Sequence, residues 1–384
     1  MSSGAKIQTL LVEETTPGTT PDPATWDFLR LTGNTLTPAV GTESSSEIRD
    51  SRMGSGSIIT SRDFTGDLNY EFSARTFDKL LPAAFFSSDW AADQSVTAAT
   101  IDADGSDNSL NDTAGLGIFE PGELIRIAGF ATTGNNGFAT VVSSTATKLV
   151  VSGITLSTEA AGESVTLDNG DKIGIGATRH TFSAVKRYAD ISVFAIFRGL
   201  HVGSMSLDIP EEGIVTGTFS MAGLAGETAQ TDFVGGSDTV NAATSTVPMG
   251  SATNVGTIAI DGASLAGTAC ISAMTMELAN NLQVQRCLGK VGPGAQIETQ
   301  ASVTGTITMA WSAASYAIWK NMITREPIDI IFPLIAGGDA YAFRIPQAEV
   351  DGELPDGGNE DIVQVELNYT AKIDPVTVHR ILAA

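Results

Sequence analysis

The chain has little histidine, little cysteine and little basic charge, and it lacks long apolar runs. Its three histidines, His180, His201 and His379, lie far apart in the 384-residue sequence, and none stands beside a nucleophile motif. There is no G-x-S-x-G elbow, Walker loop or H-E-x-x-H pair. The sequence therefore predicts a protein that is not an enzyme and that has no catalytic residue, cofactor or metal site.

The two cysteines, Cys270 and Cys287, form no C-x-x-C pair. This arrangement favours free thiols that are buried as small apolar side chains. The first residues contain no apolar run of the length that a signal peptide needs, and no later segment approaches a membrane span. We therefore expect a protein that is made and kept in a cytosol and that does not contact a membrane.

Basic residues are outnumbered by acidic ones, 21 against 44, and the formal net charge is −23. Proteins that grip nucleic acid need the opposite sign, because lysine and arginine displace counterions from the phosphates. Specific binding of DNA or RNA is therefore not expected. A surface of this charge repels DNA instead.

Some polar stretches resemble ligand loops at first sight. The stretch Asp102–Asp112 has Gly105 at its fourth position, whereas a calcium-binding EF-hand loop needs glycine at the sixth. The stretches that begin at Gly174 and at Pro355 have the glycine, proline and aspartate of ordinary turns. We interpret all of these stretches as turns.

Glycine, serine, threonine, alanine and valine dominate the composition, and charged residues make up only 17%. This composition favours strands and turns over surface helices. The length suggests two or three domains. A mainly β protein is therefore predicted.

Two segments of the sequence resemble each other, FTGDLNYEFSARTFDKL at Phe64–Leu80 and VTGTITMAWSAASYAIW at Val303–Trp319, and we call this pattern the repeated phrase. Each copy begins with alternating apolar and polar residues and then changes to helical spacing, which predicts a strand followed by a helix. For the first copy the helix is predicted over 73–86. A second pair, Phe197–Leu224 and Phe343–Ala371, follows in the same order. The common order predicts a duplicated domain.

The predicted organisation has five parts. The polar segment 1–26 is interpreted as an arm that folds only against another molecule. Two fused β-sandwich domains, each with a flanking helix, occupy 27–90 with 177–234 and then 245–384. The turn-rich segment 91–176 is predicted as a small inserted all-β domain, and 235–244 as a linker.

Four predicted strands have an apolar face and an opposite polar face that carries no lysine or arginine. The polar positions are Thr65, Asp67, Asn69, Glu71, Thr216, Thr218, Ser220, Thr304, Thr306, Thr308, Gln364, Glu366, Asn368 and Thr370. Such a face is typical of a sheet that is simply exposed to water. It also suits a conduit for DNA, because hydroxyls, amides and carboxylates offer a phosphate polymer nothing to bind.

The chain resembles the major tail tube proteins of long-tailed, siphovirus-type bacteriophages. The resemblance is carried by LRLTGNTL at Leu29–Leu36, by the segments Arg62–Phe85 and Phe197–Met221, and by VTGTITMAW with the C-terminal strands that follow it. It covers most of the chain outside 91–176. These are strand and turn patterns, so the match is specific as a set rather than segment by segment.

The resemblance implies β-sandwich tube folds in stacked rings whose inner sheets form one barrel. The polar positions above would then line an electronegative lumen through which viral DNA passes without specific binding. The long loop Pro38–Ser57 and the N-terminal arm would contact the next ring, and 91–176 would face outward. The expected loop contacts are Glu43, Glu47, Arg49, Asp50 and Arg52.

A chain with two tube folds is expected to close a pseudo-hexameric ring as a homotrimer. The first copy has Asp67 and Glu71 where the second has Thr306 and Ala310, so charged and neutral sectors should alternate around the bore. The resemblance implies further partners, namely the tape-measure, tail terminator and distal tail proteins. It places the protein in the virion after assembly in the host cytoplasm.

Two alternatives stay open at this point. A secreted or surface β-sandwich adhesin is compatible with the glycine, serine and threonine content, although the absence of an export signal disfavours it. Another tail or capsid component, such as a terminator or a decoration protein, fits the composition but not the paired pattern.

Overall fold

Strands dominate the computed structural model, which describes residues 3–48, 50, 53–54, 56–265, 268–358 and 362–383. The first elements are β1 (Ile7–Glu14), β2 (Thr25–Leu29), β3 (Gly33–Asn34), β4 (Thr37–Ser44), β5 (Ser57–Glu71) and the helix α1 (Leu80–Phe85). The next strands are β6 (Ala91–Ala92), β7 (Ser95–Ala98), β8 (Asp102–Asp104), β9 (Ser109–Asn111), β10 (Leu124–Ala128), β11 (Gly137–Ser144), β12 (Lys148–Ser152), β13 (Val165–Asp168) and β14 (Asp171–Gly174).

The remaining elements follow the inserted segment. They are β15 (Thr181–Tyr188), β16 (Val193–Ile209), β17 (Thr216–Gly223), β18 (Ala225–Ala229), β19 (Thr239–Asn241), the helix α2 (Ser251–Asn254), β20 (Ala259–Ile260), β21 (Ala263–Ser264) and β22 (Ile271–Ala279). The chain ends with β23 (Gln283–Gln285), β24 (Ala295–Ile297), β25 (Ser302–Ala310), the helix α3 (Ala313–Thr324), β26 (Ile328–Ala336), β27 (Asp339–Asp351), β28 (Gln364–Ala371) and β29 (Thr377–Ile381). Short 3-10 turns lie at Gly4–Lys6, Leu116–Ile118 and Thr133–Asn135.

One long antiparallel sheet organises the molecule, and we call it the main sheet. Its strands are neighbours in the order β4, β5, β17, β16, β22, β25, β28 and β27. The first four strands come from the first predicted domain and the last four from the second. We refer to these two sets, with the outer strands that pack on them, as the first half and the second half.

The two halves share their strand connections. The N-terminal part of β16 pairs with β15 and β18, whereas its C-terminal part pairs with β17. In the second half β27 pairs in the same way with β26 and β29, and then with β28. The strand order β4, β5, β17, β16 therefore corresponds to β22, β25, β28, β27. This equivalence supports the duplication that the sequence predicts.

Successive side chains of a strand point to opposite faces of the sheet. In the main sheet the apolar side chains share one face, and that face is buried. The core side chains include Leu68, Leu207, Phe219, Met276, Ile307 and Leu367, each at most 1% exposed. Burial of each such side chain contributes about 1.5–3 kcal/mol. Both halves contribute to one continuous core. One core thus covers the buried face of the main sheet in both halves, and we refer to the sheet with this core as the wall.

Two tyrosines brace this wall from its buried face. Tyr70 lies opposite Gly217 on the neighbouring strand, and its hydroxyl donates to the carbonyl of Ser206 one strand further on, at 2.9 Å. Tyr369 lies opposite Gly305, and its hydroxyl donates to the carbonyl of Thr275 at 2.7 Å. Burial raises the pKa of both phenols, so they stay neutral donors. Each tyrosine thereby links three adjacent strands.

The inserted segment contains a seven-stranded sheet among its described residues, in the order β7, β13, β10, β11, β12, β9, β8. This sheet has its own cluster of buried side chains. It also packs on the second half, where Leu124 and Phe138 contact buried residues of β26, β27 and β29. The guanidinium of Arg344 bridges Asp329, at 2.9 Å, to Glu120 of the insert, at 3.0 Å. The insert therefore interrupts the first half in sequence but packs against the second half.

Several local expectations differ from the structure. The predicted free arm is absent from the described residues, because β1 lies between β2 and β15 with Leu10 and Leu11 buried. The predicted helix over 73–86 shrinks to α1, since Arg75 has a positive φ and the chain turns there. Cys270 and Cys287 are free, as expected, but they are exposed rather than buried. The helix of the second copy, by contrast, extends over twelve residues as α3 and begins with a Ser312–Ser315 capping box.

Candidate functional site

The face of the main sheet opposite the core carries the polar positions that the sequence singled out. Those of β5 are Thr65, Asp67, Asn69 and Glu71, and those of β17 are Thr216, Thr218 and Ser220. Those of β25 are Thr304, Thr306 and Thr308, and those of β28 are Gln364, Glu366, Asn368 and Thr370. All of them are exposed or half-buried, and most of the positions that alternate with them on the same strands are buried. The structure thus brings the whole predicted set onto one surface, which we call the polar face.

Two strands that the sequence analysis left out complete the polar face. β16 and β22 lie in its middle, where Ser204–Ile209 pair antiparallel with Met274–Ala279 and join the two halves. Their contributions are Ser204, Ser206, Asp208, Thr275 and Glu277. The period-two alternation of SMSLDI and MTMEL was the signal that could have identified them. At the far edge β27 adds Glu349 and Asp351.

Registered rows of side chains cross the polar face from strand to strand. One row is Glu71, Thr216, Asp208, Thr275, Thr306, Asn368 and Asp351. The next row is Asn69, Thr218, Ser206, Glu277, Thr304, Thr370 and Glu349. Hydroxyls, amides and carboxylates are thus interspersed along both rows.

Three pairs of these polar side chains are hydrogen-bonded to one another. The Ser220 hydroxyl donates to Asp67 Oδ1 at 2.7 Å, and the Thr218 hydroxyl donates to Asn69 Oδ1 at 2.9 Å. In the second half the hydroxyls of Thr275 and Thr306 lie 2.9 Å apart. Groups that satisfy each other offer few free donors to a passing anionic polymer. The polar face is therefore poorly suited to binding phosphates.

Both halves of the polar face are acidic. The first half contributes Asp67, Glu71 and Asp208, and the second contributes Glu277, Glu349, Asp351 and Glu366. No lysine or arginine stands at the polar positions named above, and Lys372 follows at the outer end of β28. The expectation of alternating charged and neutral sectors was therefore wrong. It compared only one strand of each half, whereas carboxylates on β22, β27 and β28 compensate for the neutral β25.

The far edge of the polar face is open. A groove of about 830 Å³ lies there, lined by β28, the end of β27 and the segment that follows it. At the opposite edge, β4 pairs with β5 on one side, and no described strand pairs with its other side. Both edges therefore present main-chain groups that can pair with another strand.

Two long hairpins project beside each other from the two halves. In the first half β4 and β5 form a hairpin, so much of the predicted loop Pro38–Ser57 is strand, because the chain pairs with itself up to Ser44 and from Ser57. Glu43 lies on β4, and Glu47 and Asp50 lie in the connecting segment. Arg49 and Arg52 lie outside the described residues.

The second hairpin, built on β23 and β24, was missed by the sequence analysis. It contacts the first through a hydrogen bond from the Arg62 amide to the Val291 carbonyl, at 2.9 Å, and through the Arg286–Asp63 ion pair, at 2.7 Å. The paired hairpins expose apolar side chains, namely Val40, Ile48, Met53, Ile58, Ile59, Val284, Leu288, Val291 and Ile297. A concentration of exposed apolar side chains of this kind marks an interaction surface.

Comparison with known proteins identifies the chain. Among the described residues no helix is long and apolar enough to cross a membrane. No curated protein matches the chain. A family model described as "Phage tail tube protein" matches residues 4–371, which is nearly the whole sequence. The chain therefore belongs to the phage tail tube protein family and is a structural component of a phage tail.

Proposed function

We propose that three copies of this chain close into a ring whose main sheets form one continuous barrel around a lumen. Rings of this kind stack into the tail tube that delivers the genome of a long-tailed phage. The observation that carries the proposal is the pairing of β16 with β22 inside one chain. It joins two equivalent halves through main-chain hydrogen bonds, and it serves as a template for the contact between chains.

The equivalence of the halves identifies the strands that meet between chains. β27 corresponds to β16, and β4 corresponds to β22. By analogy with the pairing of β16 with β22, the end of β27 in one copy would pair with the β3–β4 edge of the next copy. In the single chain the outer side of β4 is open, and β27 is open beyond Ala348, where its pairing with β26 ends. Exposed strand edges are a liability unless another strand covers them. Eight strands per chain give a barrel of twenty-four strands in a trimer.

In such a barrel the polar face lines the lumen, because the opposite face is covered by the core. Its carboxylates repel phosphates, and four of its hydroxyls, those of Thr218, Ser220, Thr275 and Thr306, are already hydrogen-bonded within the face. DNA therefore passes without being held, and the conduit acts passively. The inserted sheet packs on strands behind the core and would face outward.

Stacking is assigned to the paired hairpins. Their exposed apolar side chains project from the main sheet beyond the part of β5 that pairs with β17. Burying them against the next ring removes apolar surface from water at about 25 cal/mol per Å². The tape-measure, tail terminator and distal tail proteins are the further partners of this assembly, which forms in the host cytoplasm.

Electron microscopy of the purified chain tests the proposal. We expect hollow rods of uniform bore, and a reconstruction should resolve three chains per ring with pseudo-six-fold symmetry. Native mass spectrometry of short assemblies should give multiples of three chains. A ring of six chains would contradict the trimer, and a failure to form rods under any condition would contradict the tube.

The stacking assignment makes a separate prediction. Leu288→Asp, at a fully exposed position of the second hairpin, should leave ring formation intact but shorten the tubes several-fold, because a charge replaces an apolar contact at each ring interface. Tube length is measured by electron microscopy. The matched control is Ile118→Asp in a 3-10 turn of the inserted segment, which is also exposed and should not alter length. Tubes of ordinary length from the Leu288 variant would overturn the assignment.

A further inference from the structure

A buried polar cluster lies where the inserted segment meets the last strand of the second half. Asp93 follows β6, Glu123 precedes β10, and His379 lies on β29. One potential ligand atom from each residue falls within 4.8 Å of the others. The three side chains come from distant parts of the sequence, which is why sequence reasoning predicted no metal site.

His379 is the most unusual member of the cluster. Its side chain is 1% exposed, and its Nδ1 lies 3.3 Å from the carbonyl of Asn169. Because a carbonyl only accepts, Nδ1 carries the hydrogen and Nε2 presents a lone pair. Within the described chain Nε2 has no hydrogen-bond partner.

The Nε2 lone pair faces another acceptor. Glu123 Oε1 lies 3.9 Å from it, and the Glu123 side chain is only 2% exposed. Two acceptors that face each other in a buried space have nothing to bind unless a cation or a water molecule lies between them.

A neighbouring amide orients both carboxylates. Asn169 is fully buried, and its Nδ2 donates to Asp93 Oδ2 at 3.0 Å and to Glu123 Oε2 at 3.3 Å. The backbone amide of Glu120 also donates to Glu123 Oε2, at 3.0 Å. These bonds hold one oxygen of Glu123 and leave Oε1 directed at His379. Hydrogen bonds that orient ligands in this way are a regular part of metal centres.

Lys172 is the cation that faces the cluster from β14. Its Nζ lies 3.5 Å from Asp93 Oδ2 and 3.9 Å from Glu123 Oε1, and its side chain is about one-third exposed. One ammonium cannot balance two carboxylates, so the cluster keeps a negative charge. Being partly exposed, Lys172 can swing toward solvent when a better cation arrives.

We propose that Asp93, Glu123 and His379 bind a divalent transition metal ion of the zinc class. One imidazole nitrogen and two carboxylate oxygens are ligands that zinc accepts, with a fourth position left for water. The ion would fix the C-terminal strand β29 to the inserted segment. It would therefore reinforce the junction at which the insert is attached, independently of the ring and tube contacts.

Zinc titration of the full-length chain tests the site, in a background in which the exposed Cys270 and Cys287 are replaced by serine. After removal of metal with a chelator, calorimetry and elemental analysis should give one Zn²⁺ per chain, and Co²⁺ should give a visible absorption band. His379→Gln should weaken Zn²⁺ binding at least about 100-fold, since even the loss of an outer hydrogen-bond partner costs about 10–100-fold. The control His201→Gln alters another buried histidine outside the cluster and should bind as before.

Lys172→Met provides a second arm that does not remove a ligand. Because the ammonium competes with the ion, this variant should bind Zn²⁺ more tightly, by about tenfold or more. Weaker or unchanged binding would overturn the proposal, as would a background chain without saturable binding or a His379→Gln variant with undiminished affinity. In those cases a water molecule bridges Nε2 and Glu123.

Discussion

Alanine in place of Gly305 or Gly217 is expected to prevent the main sheet from folding stably. A Cβ atom at Gly305 would lie 2.1 Å from the carbonyl oxygen of Thr275 and 2.5 Å from the ring of Tyr369. At Gly217 it would lie 2.3 Å from the carbonyl oxygen of Ser206 and 2.4 Å from the ring of Tyr70. Since the carbonyls belong to neighbouring strands, no side-chain rotation relieves the overlap. Each change should cost roughly 3 kcal/mol, at the upper end for overpacked cores.

Thermal unfolding and limited proteolysis of the full-length chain measure this loss. Gly235→Ala is the matched control, because a Cβ atom there meets nothing within 4 Å and the backbone has an ordinary φ. We expect the control to unfold like the parent chain and the two sheet variants to be cleaved quickly. If Gly305→Ala unfolded at the same temperature as Gly235→Ala, the close packing of tyrosine on glycine would not be essential to the wall.

These two glycines also show where the repeated phrase misleads. Alignment of the two copies pairs Gly305 with Gly66, yet the tyrosine that covers Gly305 is on β28, whereas the first half has its tyrosine on β5 and its covered glycine on β17. The copies have kept the strand order and exchanged the details of packing. A duplicated fold can therefore be predicted from order, but its contacts cannot be copied from one half to the other.

The polar face was predictable to the extent that it depends on local alternation. A period of two places every second residue on the same side of a strand, and burial of one side decides which side that is. For this reason the polar positions of β5, β17, β25 and β28 were assigned from sequence to one face, and the structure places them together. The mainly β fold class was confirmed on the same grounds.

Long-range pairing could not be predicted in this way. The junction between β16 and β22 joins segments of different halves, and nothing in either sequence names its partner. The cluster of Asp93, Glu123 and His379 depends on the pairing of β14 with β29, which are even further apart in sequence. The N-terminal strand β1 was missed because a polar, proline-containing flank hid the short apolar run Leu10–Val12.

The double substitution Asp208→Lys with Glu366→Lys is expected to leave the tube intact and to impair genome delivery. The two carboxylates are exposed, lie one in each half, and each faces a threonine on a neighbouring strand, so lysine creates no buried charge. The double change removes two negative charges and adds two positive charges per chain, repeated at every ring. Phosphates would then bind the wall and release counterions. We expect infectivity of virions built with the variant to fall by at least about tenfold, with tube length and bore unchanged in electron micrographs.

A control variant separates the effect of the position of the added charge from the effect of net charge. Glu163→Lys with Asp112→Lys makes the same change in the inserted segment, outside the polar face, and should preserve infectivity. Tubes assembled from the Asp208 and Glu366 variant should also retain short DNA in a sedimentation assay at low salt and release it as salt rises, because the attraction is screened within about 10 Å at 0.1 M salt. Equal losses from both double variants would mean that net charge matters and position does not. Full infectivity from the polar-face variant would mean that this face does not line the path of the genome.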